Sequence, residues 1–91
     1  MRKFIIEREI TGIGKSTAEE LSAAAQRSNR TLKELGSGIQ WVHSYVTPDK
    51  TFCVYLAESE ELIRAHAARS GFPATRITEV CMTFDPSAER A

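Results

Sequence analysis

Residues 3–9 set Phe4 and Ile6 against Ile5, Glu7 and Glu9, a two-residue alternation that predicts a strand. TGIGK, residues 11–15, reads as a loop. Ser16, Thr17, Ala18 and Glu19 then spell a capping box, in which the Ser16 hydroxyl accepts from a backbone N–H and Glu19 reaches back. Beyond it Leu21, Ala24, Ala25, Ser28, Leu32 and Leu35 recur at helical spacing. Glu19 and Glu20 at the start, with Arg27, Arg30 and Lys33 later, suit the helix dipole, and Gly36 or Gly38 can end the helix. IQWVHSYVTPDKTFCVYLA, residues 39–57, carries two β-rich runs about the turn formers Pro48 and Asp49, which predicts a hairpin. Ser59 is placed to cap a second helix over residues 60–70, closed by Gly71 and Pro73. A last strand is expected over residues 76–84, with Pro86 ending it.

Strand, helix, strand, strand, helix, strand is the order of two split β-α-β units. The expected fold is therefore α+β and ferredoxin-like, βαββαβ: a four-stranded antiparallel sheet in the order 4-1-3-2, with both helices on one face. Residues 1–85 make one domain on this reading, and residues 86–91 a flexible tail.

Side chains alternate across a strand, so the strand residues sort into two faces. Phe4, Ile6, Val42, Val46, Phe52, Val54, Leu56, Val80, Met82 and Phe84 are nearly all apolar and are expected under the helices. Glu7, Glu9, Trp41, His43, Tyr45, Cys53, Tyr55, Glu79 and Cys81 then occupy the face that no helix covers. With Pro48, Asp49 and Lys50 as the loop, Tyr45 pairs with Cys53 and His43 with Tyr55, while Glu7 and Glu9 come near Cys53. A face of aromatics, thiols, imidazole and carboxylate calls for a partner or a ligand. Cys81, two strands from Cys53, lies about 10 Å away, too far for a disulfide.

Composition narrows the function classes. Lys+Arg and Asp+Glu balance at twelve each over 91 residues, which leaves no electrostatic footprint for nucleic acid or an anionic membrane. RNA binding on the sheet also lacks its basic-Gly-aromatic run, since TFCVYLA has no Arg or Lys. No apolar run approaches a membrane span, and MRKFIIERE turns charged too soon for a signal peptide. Two cysteines without a secretion signal point to reduced thiols in a cytoplasm.

Gly14, Lys15 and Ser16 match the end of a phosphate-binding loop, but such a loop needs a glycine where this chain has Glu9. No nucleotide is expected, and the stretch reads as a strand-to-helix turn. His43, Cys53 and a strand-1 carboxylate, Glu7, form a mixed N/S/O set suited to Zn, Ni or Cu. Against it stands the plainer reading that His43, Tyr45 and Trp41 fill a dimer interface. His66 falls on the sheet-facing stripe of the second helix, a packed or pocket position, and Cys53 and Cys81 can equally be small buried hydrophobes.

FIIEREI together with residues 38–80 resembles a family of small bacterial proteins of unknown function, associated with nickel binding through a streptomycete member. The matching pieces are His43 in WVHSYV, Cys53 in TFCVYL, and the run from His66 to Gly71 and Pro73. The resemblance implies a ferredoxin-like monomer that dimerises through its sheets, as in dimeric α/β barrels, with metal near the interface. Two positions depart from the pattern that the resemblance implies for the nickel-associated member, which has histidine at both: Phe72 precedes the proline here, and Glu7 stands on strand 1.

The expected function is a cytoplasmic homodimer binding a divalent transition metal, nickel or zinc, or a small ligand on the sheet face, with Trp41, Tyr45, Tyr55, Glu9, Glu79 and Cys81 around it. The rival is an oxygenase- or isomerase-like enzyme of the dimeric barrel type, with His43 or His66 as acid/base and Tyr45 or Tyr55 as proton donor. A third reading is a purely structural dimer without metal.

Overall fold

Phe4, Ile6 and Arg8 are the buried members of β1 (Arg2–Glu9), and every other element is arranged about that stripe in a computed structural model that describes residues 1–90. The chain continues through α1 (Ala18–Leu35), β2 (Ile39–Val46), β3 (Lys50–Ala57), α2 (Glu60–Ser70) and β4 (Arg76–Val80). The strands form one four-stranded antiparallel sheet in the order β2-β3-β1-β4, which is the expected 4-1-3-2 read from the other edge. Both helices cover one face, the ferredoxin-like α+β arrangement.

Phe4, Ile6, Ile39, Cys53, Tyr55, Ala57 and Ile63 are the buried core, and Leu32, Leu35, Trp41, Leu62 and Ile77 pack around it. Burying a side chain of Phe or Ile size contributes about 1.5–3 kcal/mol each. The far half of α1 meets the core through Thr31, Leu32 and Leu35, large enough to close the gap to the sheet.

The TGIGK loop closes into a single 3-10 turn, Ile13–Lys15, and its cap takes Ser16: the Ser16 N–H donates to the Ile13 carbonyl at 3.1 Å. The helix therefore starts one residue later than expected. Thr17 is the N-cap, its hydroxyl accepting from the Glu20 N–H at 3.1 Å while Glu20 Oε1 accepts from the Thr17 N–H at 2.9 Å. Gly36, at φ 89°, closes α1. Gly14 serves packing: its N–H donates to the Pro48 carbonyl at 3.0 Å, and a Cβ there would fall 2.8 Å from Pro48 Cα. The famous-looking GKS thus lies against the hairpin turn.

β4 stops at Val80, short of the expected residue 84. Cys81 is exposed, and Met82 and Phe84 are exposed rather than under the helices. Pro86–Arg90 forms a short 3-10 helix; the last residue of the expected tail, 91, lies outside the described residues.

The faces differ most from expectation. Thr47 pairs with Lys50, its N–H donating to the Lys50 carbonyl at 2.8 Å, so the hairpin turn is Pro48–Asp49 alone and the register shifts by one residue. Tyr45 consequently sits opposite Phe52 and His43 opposite Val54, while Trp41 sits opposite Tyr55. A β-bulge at Val42, between Trp41 and His43, lets Trp41 face the helices while His43 and Tyr45 face away. β3 is inverted relative to the expectation: Thr51, Cys53, Tyr55 and Ala57 are buried beneath the helices, and Phe52, Val54 and Leu56 lie on the helix-free face.

Candidate functional site

The helix-free face is the first candidate. His43 and Tyr45 stand on β2, and their rings meet edge-on with centroids 5.0 Å apart. Phe52, Val54 and Leu56 continue the surface across β3, and Ile5 and Val80 carry it over β1 and β4. Ile5, Val42 and Tyr45 are exposed, an apolar strip on a surface no helix protects. Glu7 shares this face, but its carboxylate lies 3.7 Å from Lys50 Nζ and 3.8 Å from Arg76 Nε. Glu9 is at the end of the same strand, exposed, its N–H donating to Thr75 Oγ1 at 3.0 Å.

The proposed trio His43, Cys53 and Glu7 does not converge in the monomer. Register puts Cys53 beside Ile6 on the covered face, where it is buried with Thr51, whose hydroxyl approaches Cys53 Sγ at 3.6 Å. No group of three His, Cys, Asp or Glu side chains that could hold a metal ion occurs among the described residues. One chain thus offers His43 and an ion-paired Glu7 on one face, too few donors for a metal by themselves. Tyr55 and Trp41 also leave the proposed interface for the covered face. Glu79 lies toward that side too, beside Phe4, and is held in a bidentate pair with Arg2 at 2.7 and 3.0 Å. Cys81 lies past the end of β4.

The covered face holds the second candidate. Near its N-terminal end α1 stands off the sheet, because Ala24 and Ala25 are too small to reach it, and a cavity of about 430 Å³ remains. Trp41, Ser44, Thr51, Cys53 and Tyr55 form its floor, with Trp41 Nε1 donating to Ser44 Oγ at 2.9 Å across the bulge. Arg8, Ser28 and Phe72 close one end.

Arg8 was not among the residues singled out from the sequence, although its place two and four residues after Ile6 and Phe4 carries the signal: the same alternation that buries them buries it. It is only 3% exposed. Nη1 donates to the Pro73 carbonyl at 2.8 Å and the Phe72 carbonyl at 3.4 Å, and Nη2 has no partner. The carboxylates that form ion pairs among the described residues take Arg2, Lys50, Arg64 and Arg76, and none takes Arg8. The guanidinium lies 5.7 Å from the Phe72 ring centroid, and Arg27 approaches the same ring at 4.3 Å.

His66 sits one bond behind the cavity. It is fully buried, and its Nε2 meets Ser28 Oγ at 3.0 Å, so its partner is a hydroxyl on α1. Burial pushes the imidazole down to about 4, the Arg8 charge acts in the same direction, and Ser28 opposes them. Tyr55 packs against it with ring centroids 5.4 Å apart, and burial raises the phenol above its ordinary range, with Ser28 and Arg8 pulling the other way. His66 is therefore neutral near pH 7, and no nucleophile-base-orienter set is assembled here.

Comparison with known proteins places this geometry among relatives. Residues 4–80 match the model of a family described as nickel responsive protein SCO4226-like. Among solved structures, the crystal structure of SCO4226 from Streptomyces coelicolor A3(2) superposes with a TM-score of 0.74 at 22% identity, covering 90% of this chain and 99% of that one. No curated protein sequence matches the chain. No helix among the described residues is long and apolar enough to cross a membrane.

Proposed function

Because the chain belongs to the SCO4226-like nickel responsive protein family, we propose that it is a homodimer that pairs through its helix-free sheet faces and takes up a divalent transition metal there, with His43 as the principal ligand. The observation that carries this reading is the exposed His43 imidazole on an uncovered apolar face, with no completed ligand set among the described residues of one chain. A second copy facing it doubles the imidazoles and excludes water, and both strengthen coordination. Imidazole favours Ni²⁺ or Zn²⁺ over Mg²⁺, which prefers oxygen donors. Glu7 is the nearest carboxylate of the face in the strand order, available only if it exchanges Lys50 and Arg76 for metal. Cys53, beneath the helices, is outside this ligand set. Two free thiols fit a reducing compartment such as the cytoplasm.

Calorimetric titration at pH 7.5 tests the metal. Wild type is expected to bind Ni²⁺ or Zn²⁺ well ahead of Mg²⁺, His43→Ala to lose most of that affinity, and His66→Ala to bind as wild type while melting lower. Affinity falls on acidification, since a protonated imidazole has no lone pair to give. Uptake that His43→Ala leaves intact, or no uptake at all, leaves the second reading: His43, edge-on to Tyr45, and Glu7, paired with Lys50 and Arg76, serve a metal-free interface.

A further inference from the structure

The cavity under α1 lies on the opposite side of the sheet from His43, and the metal reading makes no use of it. Its chemistry is asymmetric. Leu21, Ala24, Ala25 and Val46 make an apolar wall, while Arg8 lines the other end, its Nη2 buried without a partner and its guanidinium in none of the ion pairs among the described residues. The Arg27 guanidinium lies over the same Phe72 ring, 4.3 Å from its centroid. A buried cation without a counter-ion is an unfavourable arrangement that an anion relieves. A metal cation would be repelled by the same charge.

We propose that this cavity binds a small organic monocarboxylate with an apolar body, its carboxylate accepting from the Arg8 guanidinium and its hydrocarbon lying along the α1 wall. Arg presents forked N–H donors suited to a carboxylate, and Tyr55 and Ser28 add hydroxyls beside it. One arginine, with a Tyr55 hydroxyl and a Ser28 hydroxyl already engaged by His66, supplies one positive charge, which balances a carboxylate rather than a phosphate dianion. A cavity of about 430 Å³ lies in the ordinary range for small-molecule sites, which runs from about 300 to 1,000 Å³. Ala24 and Ala25 set the width of the site, because a larger residue at either would fill it.

Octanoate, 1-octanol and octylammonium are the probes, titrated into the purified full chain by calorimetry and by the fluorescence of Trp41, the sole tryptophan and part of the cavity floor. Octanoate is expected to bind saturably at one site per chain, with 1-octanol at least about tenfold weaker and octylammonium not binding, since ion-assisted hydrogen bonds are the strong ones. Arg8→Met should lower octanoate affinity at least about tenfold, to the level of 1-octanol, because the charge and not the shape is removed. Ala25→Phe, at a half-buried helical position, should abolish binding of both octanoate and 1-octanol with Arg8 intact. The proposal is overturned if octanoate does not bind, if it binds no tighter than 1-octanol, or if folded Ala25→Phe binds it as wild type does. None of these outcomes bears on Ni²⁺ uptake at His43, which is measured separately.

Discussion

Arg8 and His66 show how one residue's setting is decided by its neighbours across the core. Arg8 is buried because β1 alternates, and His66 is neutral because it is buried and close to Arg8. The sign of the pH effect follows. The unfolded imidazole has a pKa of 6.5 and the folded one about 4, so between those values the unfolded chain holds more protons. The contribution to stability is complete above pH 6.5 and is lost as pH falls toward 4, at about 1.4 kcal/mol per pH unit for one proton. Below that window both states are protonated and the loss stops. Urea unfolding of wild type and His66→Gln from pH 7.5 to 4 should show the wild-type curve falling more steeply by up to that slope. Parallel curves would mean that His66 stays solvated.

At the scale of elements, two short segments decide register. The capping box repeats one residue on, since Ser16-Thr17-Ala18-Glu19 and Thr17-Ala18-Glu19-Glu20 both fit the pattern. The preceding 3-10 turn occupies Ser16 and hands the cap to Thr17. Thr17→Ala should therefore destabilise the protein by about 1 kcal/mol, and Ser16→Ala by much less. Thermal melts of the two variants compare them directly, and the reverse order would move the helix start back to Ser16. The hairpin tightened in the same way: a two-residue turn in place of three shifts every β2–β3 pair, and the bulge at Val42 shifts half of them again.

For the molecule as a whole, the sheet has one face sealed by helices and one that is not, and the residues of the open one are more apolar than expected. Phe52, Val54 and Leu56 form its centre on β3, flanked by Ile5 and Val80. Covering that surface with a second copy predicts a dimer in sedimentation at micromolar concentration. Val54→Lys should dissociate it without unfolding the monomer, because the side chain points away from the core. A wild-type monomer at that concentration would turn the open face into a groove for another partner.

Element order, the α2 boundaries and the helix-covered place of Phe4 and Ile6 were legible from residue types, because caps, turn formers and alternation are local. The face to which β3 turns was not. TFCVYLA is apolar on both parities, so alternation says which residues travel together and not which set meets the helices. That choice was made by pairing with β1, where Phe4 meets Tyr55 and Ile6 meets Cys53, a contact between strands some fifty residues apart that no local pattern records. The metal trio dissolved for the same reason, since Cys53 went under the helices while the tighter hairpin turn set His43 opposite Val54 on the other face. The cavity has the same origin: two alanines on a helix are unremarkable in sequence, and they become a site only where the fold sets them opposite a buried, unpaired arginine.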